Sequence, residues 1–144
     1  MRNSSQKKKN NNALEYALKL ISKRDYSEFE IRRKLNKYTA SEVEETILKL
    51  KGRGLLLDEK YAANLIDKCI SKKYGFYKVE EVLRSKGVLN SETKALLAEK
   101  YSLDIERKII LNFLNKKPKD KLYPYLIQRG FRSNIVQEVL TLKD

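Results

Sequence analysis

The chemistry this chain can offer is that of its cations. Lysines and arginines number 32 against 19 aspartates and glutamates, a formal net charge of +13 over 144 residues. They gather in three stretches: Lys23, Arg24, Arg32, Arg33, Lys34 and Lys37; then Lys68, Lys72, Lys73, Lys78, Arg84 and Lys86; then Lys116, Lys117, Lys119, Lys121, Arg129 and Arg132. Ammonium and guanidinium groups in such density bind phosphate or carboxylate, so a polyanionic partner is expected, either nucleic acid or an acidic protein surface. Arg33 and Lys37 stand one helical turn apart and are expected on one face. The candidate binding residues are Lys23, Arg24, Arg32, Arg33, Lys34, Lys37, Lys72, Lys73, Lys78, Arg84 and Lys86. Any one of them alone reads more simply as a solvated charge with pairs such as Glu30–Lys34. The ensemble points to phosphate.

Other chemistry is scarce. Histidine is absent and Cys69 is the single cysteine. No intrachain disulfide, Cys/His zinc site or Ser-His or Cys-His nucleophile can be built. Cys69 sits among Leu65, Ile66 and Ile70 at helical spacing and reads as a small core residue. Gly52-Arg53-Gly54 closes a helix and is no phosphate loop, and Asp58-Glu59 and Glu44-Glu45 fit helix starts, where the dipole favours carboxylates. No catalytic residue, metal or cofactor is expected, and the chain is expected not to be an enzyme. No apolar run reaches the ~18 residues of a membrane span. The opening Met1-Arg2-Asn3-Ser4-Ser5-Gln6, followed by Lys7, Lys8 and Lys9, is not that of a secretory signal. A cytoplasmic protein without membrane contact is expected.

The elements that must carry these cations are helices. Leu14, Ala17, Leu18 and Ile21 set the 3.6-residue period. Ser27 with Glu30 predicts a capping box for a second helix burying Ile31, Leu35 and Phe29. Ser41 with Glu44 predicts another, for a third helix burying Val43, Ile47, Leu48 and Leu50 and stopped at Gly52 and Gly54. Asp58 is the expected cap of a helix with Tyr61, Leu65, Ile66, Cys69 and Ile70. Helices follow on Val79, Val82 and Leu83, on Ala95, Leu96 and Leu97, and on Ile105, Ile109, Ile110, Phe113 and Leu114. Pro118 starts the next, which Pro124 should kink or delay, and Ser133 caps the last, with Ile135, Val136, Val139 and Leu140. No segment alternates with period two.

A short phrase recurs along this series. Leu35, Leu83 and Leu126 each follow an apolar residue by four positions (Ile31, Val79, Leu122) and a helix starter or breaker by eight (Ser27, Gly75, Pro118). Thr39, Gly87 and Gly130 stand four beyond. An internal repeat sets architecture before any site does. The fold class expected is all-α: three tandem three-helix, helix-turn-helix-like repeats, stacked into an elongated, curved molecule. Their bounds are 13–57, 58–101 and 102–144, with 1–12 a disordered basic tail.

A sequence-reading helix-turn-helix presents the start of its last helix to base edges. Here the third helix opens on Glu42-Val43-Glu44-Glu45 and the sixth on Glu92, carboxylates that phosphates would repel. Non-specific backbone contact is therefore expected over base readout. A sequence-specific regulator and a protein-interaction repeat are the alternatives.

Three segments, Ser27-x-x-Glu30-Ile31-x-x-Lys34-Leu35, the run from Gly54 to Ala62 and the run from Gly75 to Val88, resemble segments of the RecX proteins, regulators of the RecA recombinase. Ser27-x-x-Glu30-Ile31-x-x-Lys34-Leu35 is similar to that family's first repeat. Gly54-Leu55-Leu56-Leu57-Asp58-Glu59-Lys60-Tyr61-Ala62 and Gly75-Phe76-Tyr77-Lys78-Val79, continued by Leu83-Arg84-Ser85-Lys86-Gly87-Val88, resemble its central segments in order and spacing. Leu57 departs from the family's usual aspartate, and Glu80, Glu81 and Val82 make the middle helix less basic. The resemblance implies three tandem three-helix repeats and a non-enzymatic protein that binds the RecA filament on DNA and inhibits its ATPase and strand exchange. It further implies a setting in DNA repair, recombination and the SOS response. The expected partners are the RecA filament and single- or double-stranded DNA, bound non-specifically by a monomer.

Overall fold

The computed structural model describes residues 12–142. The tail expected over 1–12 lies outside them except for Asn12, whose side chain accepts a hydrogen bond from the Glu15 amide and caps the first helix. Among the described residues there are nine helices and no strand, arranged as consecutive sets of three: α1 (Ala13–Ile21), α2 (Glu28–Lys34), α3 (Ala40–Gly52), α4 (Asp58–Ser71), α5 (Phe76–Ser85), α6 (Ser91–Lys100), α7 (Leu103–Phe113), α8 (Lys119–Gln128) and α9 (Ser133–Leu142). None is long and apolar enough to cross a membrane. The chain forms two compact units, Met1–Tyr61 and Ala62–Asp144, the division falling inside α4.

The recurring phrase is a packing rule. Ser27, Gly75 and Pro118 are the N-cap residues of α2, α5 and α8. Ile31, Leu35, Val79, Leu83, Leu122 and Leu126 are all fully buried. Each set of three helices thus repeats one device, a short helix started at a fixed residue and anchored by two apolar side chains a turn apart.

In the first unit α1 and α2 pack on α3. Ala13, Ala17, Ile31, Leu35, Ile47, Leu50 and Leu56 form its core, ringed by Leu14, Tyr16, Leu18 and Tyr38. Three details correct the sequence reading. The α3 cap is Thr39, boxed with Glu42, rather than Ser41 with Glu44; both pairs have the right spacing, but Glu44 is taken by Arg32. Asp58 is the first residue of α4 and caps another helix, accepting from the Glu28 amide at 3.0 Å. Phe29 and Leu48 are 43% and 70% exposed, and Thr46 takes a core position instead.

In the second unit α7 and α8 pack on α9. α8 runs through Pro124 without ending. The α4–α5 turn and the α8–α9 turn are joined by backbone: Gly75 donates to the Arg129 carbonyl at 3.0 Å and Tyr77 to the Gly130 carbonyl at 2.8 Å. These bonds satisfy N–H groups at the start of α5, whose N-cap has no side chain to offer. A Cβ on Gly75 would lie 2.1 Å from the Phe131 nitrogen, and one on Gly130 2.6 Å from the Lys78 nitrogen, so both positions require glycine. α4 also ends on a left-handed residue, Lys73 at φ 61°, where α8 uses Gly130 at φ 93°. Tyr74 donates to the Cys69 carbonyl and Lys73 to that of Ile70, closing the turn. A lysine in that conformation costs about 1 kcal/mol.

Candidate functional site

The first unit uses part of its charge on itself. Arg32 donates to Glu28 at 2.9 Å and forms a two-pronged pair with Glu44, while Lys51 approaches Glu28 at 2.8 Å. Burial opposes ionisation of Glu28, but the Lys51 and Arg32 hydrogen bonds outweigh it and hold its carboxyl below the ordinary value of 4.5. The Arg32 hydrogen bond does the same to Glu44. Arg24 stacks 3.7 Å over Tyr26 and lies 3.5 Å from Glu30. Glu30 also accepts from the Ser27 amide and from the Tyr61 hydroxyl at 2.9 Å. Burial and that bond push the Tyr61 phenol upward.

Arg33 is exposed, its guanidinium 5.7 Å from the Phe29 ring. With Arg24, Glu30 and Lys34 it lines a pocket of about 290 Å³. Lys23 and Lys37 are exposed in turns. α2 ends at Lys34, so Lys37 does not share a helical face with Arg33, and that expectation is corrected. The helix stops because Leu35 leaves helical geometry and its amide bonds both Ile31 and Arg32.

In the second unit the cations surround aromatic rings. The Lys72 and Lys78 ammonium groups lie 5.9 and 5.8 Å from the Tyr74 ring, and the Arg129 guanidinium lies 6.0 Å from it. Arg129 is also 5.4 Å from Phe113 and 5.7 Å from Tyr125. Its Nη2 donates to the Lys72 and Lys73 carbonyls at 3.1 and 3.0 Å, fixing the end of α4. Lys117 sits 4.6 Å over Tyr125, and Lys116 is 5.8 Å from Phe113. Tyr74 is held in turn by the buried Tyr101, whose hydroxyl donates to its carbonyl at 2.8 Å. Lys72, Lys73 and Lys78 are therefore brought together as a group, while Arg84 is exposed on the last turn of α5 and Lys86 follows at its C-cap.

The sequence reading missed the rings and gave Lys116, Lys117 and Arg129 no role beyond charge. The signal was present in Lys72-Lys73-Tyr74 and in Lys116-Lys117 ahead of Tyr123-Pro124-Tyr125, where paired lysines precede aromatic residues. It also missed Glu106, which is fully buried. That carboxylate accepts from the Arg132 amide at 2.9 Å and from its Nε at 2.7 Å, and the guanidinium lies 4.0 Å over Phe76. Cys69 is buried as expected, and burial pushes its thiol up, away from reactivity.

This arrangement can grip anions by charge. Comparison with known proteins agrees with the fold. Residues 13–50 match the family model described as RecX, first three-helix domain. The chain is similar to regulatory protein RecX of Pectobacterium atrosepticum, 32% identical over 91% of this chain and 97% of that one. It is also similar to regulatory protein RecX of Mannheimia succiniciproducens, 31% identical over 83% of this chain and 86% of that one. The crystal structure of RecX from Lactobacillus salivarius superposes with a TM-score of 0.79 at 17% identity, covering 90% of this chain and 92% of that one. With these identities extending over nearly the whole of both chains, this protein belongs to the RecX family of regulatory proteins.

Proposed function

We propose that this chain is a non-enzymatic, cytoplasmic regulator that binds RecA recombinase filaments on DNA and inhibits their ATP hydrolysis and strand exchange. The observation that carries this reading is membership of the RecX family over nearly the full chain. The setting that follows is DNA repair, recombination and the SOS response. The three repeats, 13–57, 58–101 and 102–144, are the proposed units of duplication. A filament is a polymer of identical sites on DNA, so a monomer with several contact surfaces gains affinity by engaging more than one subunit. A net charge of +13 supports contact with DNA phosphates or acidic filament residues and speeds encounter.

The proposed contacts are Lys23, Arg33, Lys34 and Lys37 in the first unit and Lys72, Lys73, Lys78, Arg84 and Lys86 in the second. Arg24 and Arg32 join them with charge already shared with Glu30, Glu28 and Glu44. DNA binding is expected to be non-specific. Glu42 closes a capping box at the start of α3, which places a carboxylate where a base-reading helix would need a donor.

The test is single-stranded-DNA-dependent ATP hydrolysis by the cognate RecA, titrated with this protein at constant salt. Inhibition at well below one protein per recombinase subunit is expected. Undiminished hydrolysis at excess protein would overturn the reading.

A further inference from the structure

Five cations of the second unit, Lys72, Lys78, Lys116, Lys117 and Arg129, converge from four separate segments on the rings of Tyr74, Phe113 and Tyr125, and a sixth, Lys73, follows Lys72 in the turn that Arg129 bonds. Among the described residues one carboxylate pairs with any of them, Glu81 with Lys78 at 3.3 Å, and its side chain is 68% exposed. Like charges gathered without counter-charge repel one another. The negative faces of the rings offset part of that repulsion. The remainder is relieved when an anion binds.

The backbone carries the same message independently. Among the described residues four turns use a left-handed residue, and three of them use glycine: Gly54, Gly87 and Gly130. The fourth is Lys73, at φ 61°, inside the cationic cluster. A strained lysine where glycine would serve places charge at the cost of local stability. Arg129 locks that same turn by bonding the carbonyls of Lys72 and Lys73.

We propose that this cluster is a grip for the phosphate backbone of nucleic acid. Lys72, Lys73, Lys78, Lys116 and Lys117 contact phosphodiester oxygens, and Arg129 acts as the positioning residue that holds the turn and the rings. Two observations favour nucleic acid over an acidic protein surface. Five of the six cations are lysines, a residue depleted from protein–protein interfaces and well suited to phosphate as a mobile point charge. The rings already present their faces to cations and so support the grip without stacking on bases, which makes the contact independent of sequence. The inference rests on the DNA contact in the function proposed above and assigns it a place.

The test is fluorescence anisotropy of a labelled oligo(dT) and of a random-sequence duplex, titrated with the full chain between about 0.05 and 0.3 M salt. The variant K72Q/K78Q/K117Q is compared with K60Q/K94Q/K108Q, which removes the same charge from exposed positions outside the cluster. The cluster variant is expected to lose roughly 30–100-fold in affinity near 0.1 M salt and to lower the slope of log K against log salt by about 2 on the single strand. The control is expected to change both far less. Equal losses in the two variants would overturn the grip, because net charge would then explain binding. A wild-type chain that binds no DNA at low salt would overturn it as well.

Lys73→Gly separates function from packing. It relieves the strained turn, so it is expected to raise the melting temperature by roughly 2–4 °C while weakening DNA binding. A rise in stability with unchanged affinity would remove Lys73 from the grip. RecA ATPase inhibition measured on the same proteins keeps the two readings apart. A chain that grips DNA through the cluster but leaves RecA unaffected sinks the regulator reading alone. One that inhibits RecA, with the cluster variant binding DNA as the control does, sinks the grip alone.

Discussion

The Arg32 network of the first unit and the Tyr74 cluster of the second hold their cations in different ways. In the first, Arg32 sits between Glu28 and Glu44, Lys51 reaches Glu28, and Arg24 reaches Glu30. In the second, Lys72, Lys117 and Arg129 have aromatic faces for neighbours. Pairing with carboxylates consumes charge in tying helices together. Support by rings leaves charge available to a ligand. A count of basic residues cannot separate these cases, because it weights Arg32 and Lys72 alike.

The sharpest test of the contrast lies at glycine. Gly75→Ala places a Cβ 2.1 to 2.6 Å from the backbone of Gly130 and Phe131, with no flexible side chain to give way. The expected cost is about 3–4 kcal/mol, read as a fall in the urea midpoint of the second unit. Gly52→Ala, at the end of α3, has nothing within 4 Å of the new methyl group. It is expected to be neutral or to stabilise the first unit by up to about 0.5 kcal/mol. Similar losses at the two positions would mean that the close crossing of the two turns does not hold the second unit together.

Buried charge comes next. Glu106 is fully buried and answers both the backbone and the guanidinium of Arg132. Glu106→Gln keeps one acceptor but strands a cation 22% exposed, at an expected cost of about 2–3 kcal/mol in chemical denaturation. Arg32→Met, in the first unit, cuts a pair of which one partner, Glu44, is 61% exposed. Exposed pairs contribute little, so a loss of about 0.5–1 kcal/mol is expected. The reverse order of these two effects would show that the exposed network of the first unit matters more than the buried pair of the second.

Much of this was legible before any coordinates. The period of Ile31 and Leu35, repeated by Val79 and Leu83 and by Leu122 and Leu126, located three buried helices because burial of one helical face follows from spacing alone. Caps were less legible where two candidates overlapped. Thr39-x-x-Glu42 and Ser41-x-x-Glu44 satisfy the same pattern, and only the tertiary claim of Arg32 on Glu44 decides between them. Glu106 stands four residues before Ile110 on the apolar face, a position at which a carboxylate signals a buried partner. That partner, Arg132, is 26 residues away. The local basic and aromatic stretches of the ring cluster were legible, but their meeting was not, since Tyr74 and Arg129 come together through the backbone pairing of two turns.

The smallest expected effect is the dependence on acid of the exposed pairs. Glu28 and Glu44 are held below the ordinary 4.5 in the first unit by hydrogen bonds to Lys51 and Arg32, against burial in the case of Glu28. In the second unit Glu138 is lowered by its hydrogen bond to Arg107. A carboxyl lowered on folding binds fewer protons folded than unfolded. Its contribution to stability is therefore complete above about pH 4.5 and is lost as pH falls through the folded value. Two such groups share Arg32, so what they contribute to the first unit is expected to be lost together between about pH 5 and pH 3. Glu28→Gln removes the better shielded of the two. The gap in urea midpoint between wild type and this variant is expected to be clear near neutral pH and to shrink toward pH 3, because acid deletes in the wild type what the substitution has already deleted. A gap that stays constant with pH would mean that the carboxylate contributes by shape and hydrogen bonding alone, and the electrostatic account of the first unit would fall.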